Sequence, residues 1–131
     1  MSAHDDPVVI VGMARTPMGG LLGELSTMSA NELGAVAVKA AMEEAGLAGD
    51  DVDQILMGNV LMAGQGQAPG RQAAIKAGLP KSVEATTLNK MCGSGMQAAI
   101  MGAARWSMLA VNGRRFRAKD ATPTAAANTS G

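Results

Sequence analysis

Residues 88–102 have the sequence LNKMCGSGMQAAIMG and contain the single cysteine of the 131-residue chain, Cys92. A segment rich in β-branched residues, 82–89, precedes this cysteine, and a helical pattern of apolar residues begins near Gly93. The cysteine is therefore predicted to lie at a corner between a β-strand and an α-helix. The glycines beside it allow a sharp turn and leave space for another molecule.

The segments before this corner alternate between strand and helix patterns. A buried strand is predicted at residues 7–14, PVVIVGMA, and a second strand at residues 53–62, DQILMGNVLM. Between them, Ser29 and Glu32 have the spacing of a capping box, which predicts the start of an amphipathic helix. Gly46 is placed to end that helix.

A second helix is predicted between the second and third strands. Pro69 is well suited to the first helical turn, and the pattern continues to Gly78. With the strand at 82–89 and the helix after Cys92, strands and helices alternate along the chain. The predicted fold class is therefore α/β, with a largely parallel sheet covered by helices.

Composition limits the classes of protein to which the chain can belong. Apolar residues make up 47% of the sequence but aromatic residues only 2%, which predicts a core of small aliphatic side chains. A single cysteine is typical of a reducing compartment. No apolar run approaches the roughly 18 to 20 residues of a membrane span, and the polar start, MSAHDDP, does not have the apolar core of an export signal. We therefore expect a cytoplasmic protein without a membrane partner.

The net charge of zero conceals an asymmetry along the chain. Residues 1–103 contain six basic and ten acidic residues, whereas residues 104–131 contain five basic residues and one acidic residue. The end of the sequence, ATPTAAANTSG, has the composition of a disordered linker. The predicted organisation is a polar extension at 1–6, an α/β domain at 7–112 and a tail of foreign composition at 113–131.

Two chemical interpretations of the cysteine corner are open. In the first, the amides and the dipole at a helix start favour the thiolate of Cys92 and bind an oxyanion, and Gly93 and Gly95 leave room for an acyl group. In the second, Gly93, Gly95 and Ala98 match the G-x-G-x-x-A pattern of a dinucleotide-binding module. That pattern requires an acidic residue roughly 20 residues later, where residues 113–119 are GRRFRAK. A lone cysteine is most often a packing residue, so position alone does not decide its role.

Two charged clusters are given no binding role. The three aspartates within residues 50–53 are expected to lie in a solvated loop, so no metal site is predicted. The arginines within residues 113–119 are accompanied by one phenylalanine, which is too little to indicate a nucleic-acid partner.

Three segments in order resemble the N-terminal part of the thiolase family, the acetyl-CoA C-acyltransferases. They are VVIVGMARTPMGGLLGEL at 8–25, GQGQAPGRQAAIKAGLP at 64–80 and NKMCGSGMQAA at 89–99. The resemblance extends over roughly residues 7–102. It departs from the family at residues 68–71, where Ala-Pro-Gly-Arg stands in place of the more usual Asn-Pro-Ala-Arg.

The resemblance implies a mechanism for Cys92. In this family the cysteine attacks an acyl-CoA thioester and forms an S-acyl enzyme, in either acetyl-CoA condensation or 3-ketoacyl-CoA cleavage. Coenzyme A thioesters are then the substrates, and no other cofactor is implied. The family also uses a histidine and a second cysteine from a later domain, whereas this chain contains only His4 and Cys92. We therefore expect that these 131 residues do not turn over acyl-CoA by themselves.

The resemblance also implies that the thiolase-like domain is partial. A family-like chain would continue past SMLAVN at 107–112 into another strand, so we expect a truncated thiolase whose residues 113–131 are read in a shifted frame. The family places its first strand in the middle of the sheet, so the strand at 7–14 would keep one open edge. Family dimers pair their third strands, here 82–89, which predicts a homo-oligomer for a full-length relative and not for the fragment.

Overall fold

A computed structural model describes residues 8–108 of the chain. Within that range the elements are α1 (Ala30–Ala45), a short 3₁₀ helix (Gly49–Asp51), β1 (Gln54–Gly58), α2 (Pro69–Lys76), β2 (Glu84–Leu88) and α3 (Ser94–Met108). The predicted extension at 1–6 and the predicted tail at 113–131 lie outside the described residues.

Helix α1 begins and ends where its sequence signals predict. The amide of Ser29 donates a hydrogen bond to Oε2 of Glu32 over 2.8 Å, which satisfies a backbone donor at the helix start. At the other end Gly46 adopts a left-handed conformation with φ 67°, and its amide donates back into the last turn. The predicted amphipathic helix is therefore confirmed.

Strands β1 and β2 form a parallel pair, with Gln54 opposite Glu84 and Gly58 opposite Leu88. Because parallel strands need a crossover connection, α2 lies between them in a β–α–β unit. Both strands are shorter than the predicted segments 53–62 and 82–89, but their presence and the α/β fold class are confirmed.

The two faces of the sheet carry different helices. Ile55 of β1 lies in a buried cluster with Ala74, Leu79 and Val83, beneath α1 and α2. The next residue, Leu56, points to the opposite face because side chains alternate along a strand, and its Cδ1 approaches α3 near Gly102. Helix α3 therefore covers the face opposite to α1 and α2.

The prediction of a strand at 7–14 is wrong for residues 8–14, which are the part of that segment that the structure describes. These residues form no strand, and the Ile10 side chain is 86% exposed. The segment lies against α1 instead, where the Met13 amide donates to Oε2 of Glu44 over 3.0 Å. A strand needs a neighbour with which to exchange hydrogen bonds, and within residues 8–108 the two strands pair only with each other.

Helix α3 leaves much of its apolar surface exposed. Met96 is 74% exposed and Ile100 is 54% exposed, although both lie in a helix that packs against β1. Across residues 8–108, no helix has the length and apolar character that a membrane span requires.

Candidate functional site

The candidate site lies at the edge of the sheet where both strands end. The chain leaves β1 at Asn59, whose amide donates to the carbonyl of Leu88 at the end of β2 over 2.9 Å. The loop after β2 is tied to the same edge, because Nδ2 of Asn89 donates to the carbonyl of Val60 over 3.1 Å. The carboxyl edge of a parallel sheet is where α/β proteins most often bind ligands.

Cys92 lies in the tight turn between β2 and α3 and is an exposed residue with a free thiol. The predicted strand-to-helix corner is therefore confirmed in position. The amide of Gly93 donates to the carbonyl of Lys90, and the amide of Ser94 donates to the carbonyl of Met91, each over 3.0 Å. Those two amides stabilise the turn, so neither is available to bind an oxyanion.

Met91 gives the turn its shape. It has a φ of 47°, in the left-handed region, which is costly for a residue with a side chain. Its amide donates to Oδ1 of Asn89 over 2.9 Å, and its carbonyl accepts from the Ser94 hydroxyl over 2.6 Å. Methionine has no preference for left-handed turns, so the sequence did not point to Met91. The available signal was Asn89 and Ser94, which lie two residues before it and three residues after it.

Two glycines have opposite surroundings at this corner. A Cβ atom on Gly58 would lie 2.5 Å from the carbonyl carbon of Ser94, so β1 and the start of α3 touch backbone to backbone. A Cβ atom on Gly95 would meet no atom within 4 Å. Of the two glycines predicted to leave room for an acyl group, Gly95 therefore faces open space, whereas a Cβ atom on Gly93 would lie 3.4 Å from the carbonyl oxygen of Lys90.

The other candidate groups have local roles or lie outside the described residues. The single histidine of the sequence, His4, lies outside the described residues. Asp51, in the predicted acidic loop, accepts a hydrogen bond from the amide of Ala48 over 2.8 Å and so caps the 3₁₀ helix. Within residues 8–108 no three His, Cys, Asp or Glu side chains are grouped closely enough to hold a metal ion. In α3, Ala98 of the glycine pattern is buried.

Comparison with known proteins gives consistent matches over this range. The sequence model of the family described as thiolase, N-terminal domain, matches residues 8–110. A cytosolic acetyl-CoA acetyltransferase of Gibberella zeae is 56% identical over 101 residues, which cover 77% of this chain and 26% of that protein. A mitochondrial acetyl-CoA acetyltransferase of Xenopus tropicalis is 54% identical over 96 residues, 73% of this chain and 23% of that protein.

A solved structure matches the fold as well as the sequence. The crystal structure of the Acat5 thiolase from Ascaris suum in complex with coenzyme A superimposes with a TM-score of 0.74 and 38% sequence identity. The match covers 76% of this chain and 26% of that one. The chain thus spans about a quarter of the length of the relatives that it matches.

Proposed function

The chain belongs to the thiolase family through its N-terminal domain, and from this we propose that Cys92 is the acyl-accepting nucleophile in acyl transfer between coenzyme A thioesters. The observation that carries the proposal is the position of Cys92, an exposed residue with a free thiol, on a strained turn at the start of α3. A nucleophile on such a turn is presented to the substrate while adjacent backbone amides remain close to the reacting carbon.

The proposed step is a thiol exchange. The thiolate of Cys92 attacks the thioester carbonyl, and the backbone amide of Cys92 binds the oxyanion of the tetrahedral intermediate. The bond from the acyl carbon to the coenzyme A sulfur then breaks, and the coenzyme A thiolate leaves and takes up a proton. One carbon–sulfur bond replaces another, so the exchange has little net cost.

The substrate class is supported by the relatives. Two of them are named acetyl-CoA acetyltransferases, and the matched crystal structure contains coenzyme A. We therefore take acyl-CoA thioesters to be the substrates, with no separate cofactor. A cytoplasmic location fits the relative that is named cytosolic, whereas another is named mitochondrial.

These 131 residues are expected to accept an acyl group without completing a catalytic cycle. The chain contains one cysteine and one histidine, so it has no second thiol that could move the α-proton in the second half-reaction. A homo-oligomer is proposed only for full-length relatives. Within the described range β2 pairs with β1 alone, which leaves its other edge for such an interface.

Mass spectrometry of the purified chain after incubation with acetyl-CoA tests the proposal. We expect one acetyl group per chain, mapped to the peptide that contains Cys92, no label on a Cys92→Ala variant, and no sustained release of coenzyme A. A Ser82→Ala variant, altered at an exposed turn before β2, is the matched control and should be labelled like the unsubstituted chain.

The opposite outcomes are equally specific. A chain that iodoacetamide alkylates at Cys92 but acetyl-CoA does not label would have an accessible thiol that is not an acyl acceptor. Saturable NAD(H) binding that depends on Gly93 and Gly95 and leaves the thiol unreactive would favour the nucleotide-binding alternative. Steady turnover of acetoacetyl-CoA would contradict the expected single acylation.

A further inference from the structure

Two side chains bond both peptide groups of the residue that precedes Cys92. The hydroxyl of Ser94 donates to the carbonyl of Met91 over 2.6 Å and accepts from the amide of Lys90 over 2.9 Å. On the other side, Oδ1 of Asn89 accepts from the amide of Met91 over 2.9 Å. Ser94 is only 4% exposed, so water does not compete effectively for its hydroxyl.

This arrangement counteracts a specific backbone strain. Met91 has φ 47°, and a non-glycine residue remains in that region only when its surroundings hold it there. If Met91 relaxed to a negative φ, the backbone would rotate directly before Cys92 and redirect both its thiol and its amide. Neither Ser94 nor Asn89 needs to touch a substrate to have this effect.

We propose that Ser94, assisted by Asn89, is a positioning residue that holds Met91 in the left-handed conformation and so aims Cys92 for acyl transfer. The inference rests on the proposed function of Cys92. It assigns the Ser94 hydroxyl a role in the orientation of the nucleophile that is separable from its role in folding.

Two reactions of the same thiol distinguish orientation from simple access. Alkylation by iodoacetamide requires only an accessible thiolate. Acetylation by acetyl-CoA also requires that the developing oxyanion meets a backbone amide, which depends on how the turn is held. The ratio of the acetylation rate to the alkylation rate therefore reports the geometry of the turn.

The first test is Ser94→Ala. This substitution removes the hydrogen bond that offsets the backbone strain of Met91, and the bond and the strain are of similar strength. Met91 should then leave the left-handed conformation for most of the time, so we expect the rate ratio to fall roughly tenfold. Ser94→Thr keeps a hydroxyl and should restore most of the ratio. Ser82→Ala, which removes an exposed hydroxyl, should leave the ratio unchanged.

The second test uses the strain itself. Glycine adopts a positive φ without a side-chain penalty, so Met91→Gly in the Ser94→Ala background should recover the rate ratio. A lost hydroxyl that mattered only for folding would not be rescued in this way. If Ser94→Ala does not fold by circular dichroism, Asn89→Ala, at an exposed residue, takes its place with the same expected fall and the same rescue.

The outcomes separate this inference from the one on which it rests. An unsubstituted chain that is alkylated but not acetylated would overturn the proposed function, and this inference with it. An acetylated unsubstituted chain whose rate ratio does not change in Ser94→Ala, or does not recover with Met91→Gly, would overturn the positioning role alone.

Discussion

The contact between β1 and the start of α3 makes Gly58→Ala the most informative substitution in the chain. The added Cβ would lie 2.5 Å from the carbonyl carbon of Ser94, 2.6 Å from the amide nitrogen of Gly95 and 2.7 Å from the carbonyl oxygen of Ser94. All three are backbone atoms, so no side-chain rotation relieves the overlap. Because carbon atoms pack at about 3.5 to 4.0 Å, the start of α3 must retreat by about 1 Å.

The expected cost follows from that displacement. Overfilling a packed contact typically destabilises a protein by about 1 to 3 kcal/mol. The matched control is Gly102→Ala, on the same helix and against the same strand, where the new Cβ would lie 3.8 Å from Cδ1 of Leu56 in ordinary contact. Replacing a helix-interior glycine with alanine should stabilise by about 1 kcal/mol. The two variants should therefore differ by about 2 to 4 kcal/mol, with opposite signs relative to the unsubstituted chain.

Urea unfolding followed by circular dichroism measures the difference, and acetylation of Cys92 measures its effect on the site. Gly58→Ala should unfold at lower urea and be acetylated more slowly, because the displaced Ser94 no longer holds Met91. Gly102→Ala should unfold at higher urea with an unchanged acetylation rate. If Gly58→Ala stayed within about 0.5 kcal/mol of the unsubstituted chain and kept its acetylation rate, the contact would not set the geometry of the site.

Three further substitutions test other parts of the chain. Ala68→Asn should raise the free energy of unfolding by about 1 kcal/mol, since Ala68 has φ 46° and asparagine tolerates that region better; an unchanged thermal midpoint would contradict this. Hydrogen bonds from Ser29, and then the charge of Lys76, lower the pKa of Glu32 below its ordinary 4.5. The Glu32 carboxylate therefore stabilises the fold above pH 4.5 and loses that effect as the pH falls further. When the urea midpoint is measured against pH, Glu32→Gln should lose less stability below pH 4.5 than the unsubstituted chain does. Equal losses in the two chains would refute the assignment. The 86% exposed Ile10 side chain is expected to promote self-association, so Ile10→Lys should reduce the particle size in light scattering. An unchanged particle size would show that this segment does not drive association.

Elements whose signals are local were predictable from the sequence. The start of α1 depends on Ser29 and Glu32, which lie within one turn, and its end depends on Gly46. Helix α2 likewise begins at Pro69 as predicted. These interactions form between neighbours in sequence, so they do not depend on what the rest of the chain does.

The strand predicted at 7–14 failed for the opposite reason. Its β-branched residues give a propensity, but a strand exists only when another segment pairs with it. In the described chain that segment rests on α1, and Gly12 makes the approach possible because a Cβ there would lie 2.5 Å from the carbonyl oxygen of Ala41. Pairing between distant segments is not encoded in the segment itself.

The same difference between local signals and contacts from distant segments applies to the candidate site. The place of Cys92 between a strand and a helix was predictable from the local pattern of residues 82–99. The conformation of Met91 was not, because it is imposed by Asn89, by Ser94 and by the backbone of a strand more than thirty residues earlier.

The reactivity proposed for Cys92 should therefore belong to the folded sheet and not to the local motif. A peptide of residues 88–102 would contain the cysteine and the start of α3, together with Asn89 and Ser94. It would not contain Gly58, on whose backbone the start of α3 rests, nor the carbonyl of Val60 that orients the Asn89 amide. Without those two contacts, water would compete for the hydrogen bonds that hold Met91. The backbone strain of Met91 would then favour its return to a negative φ. Such a peptide should be alkylated readily but acetylated slowly, whereas the chain should show both reactions.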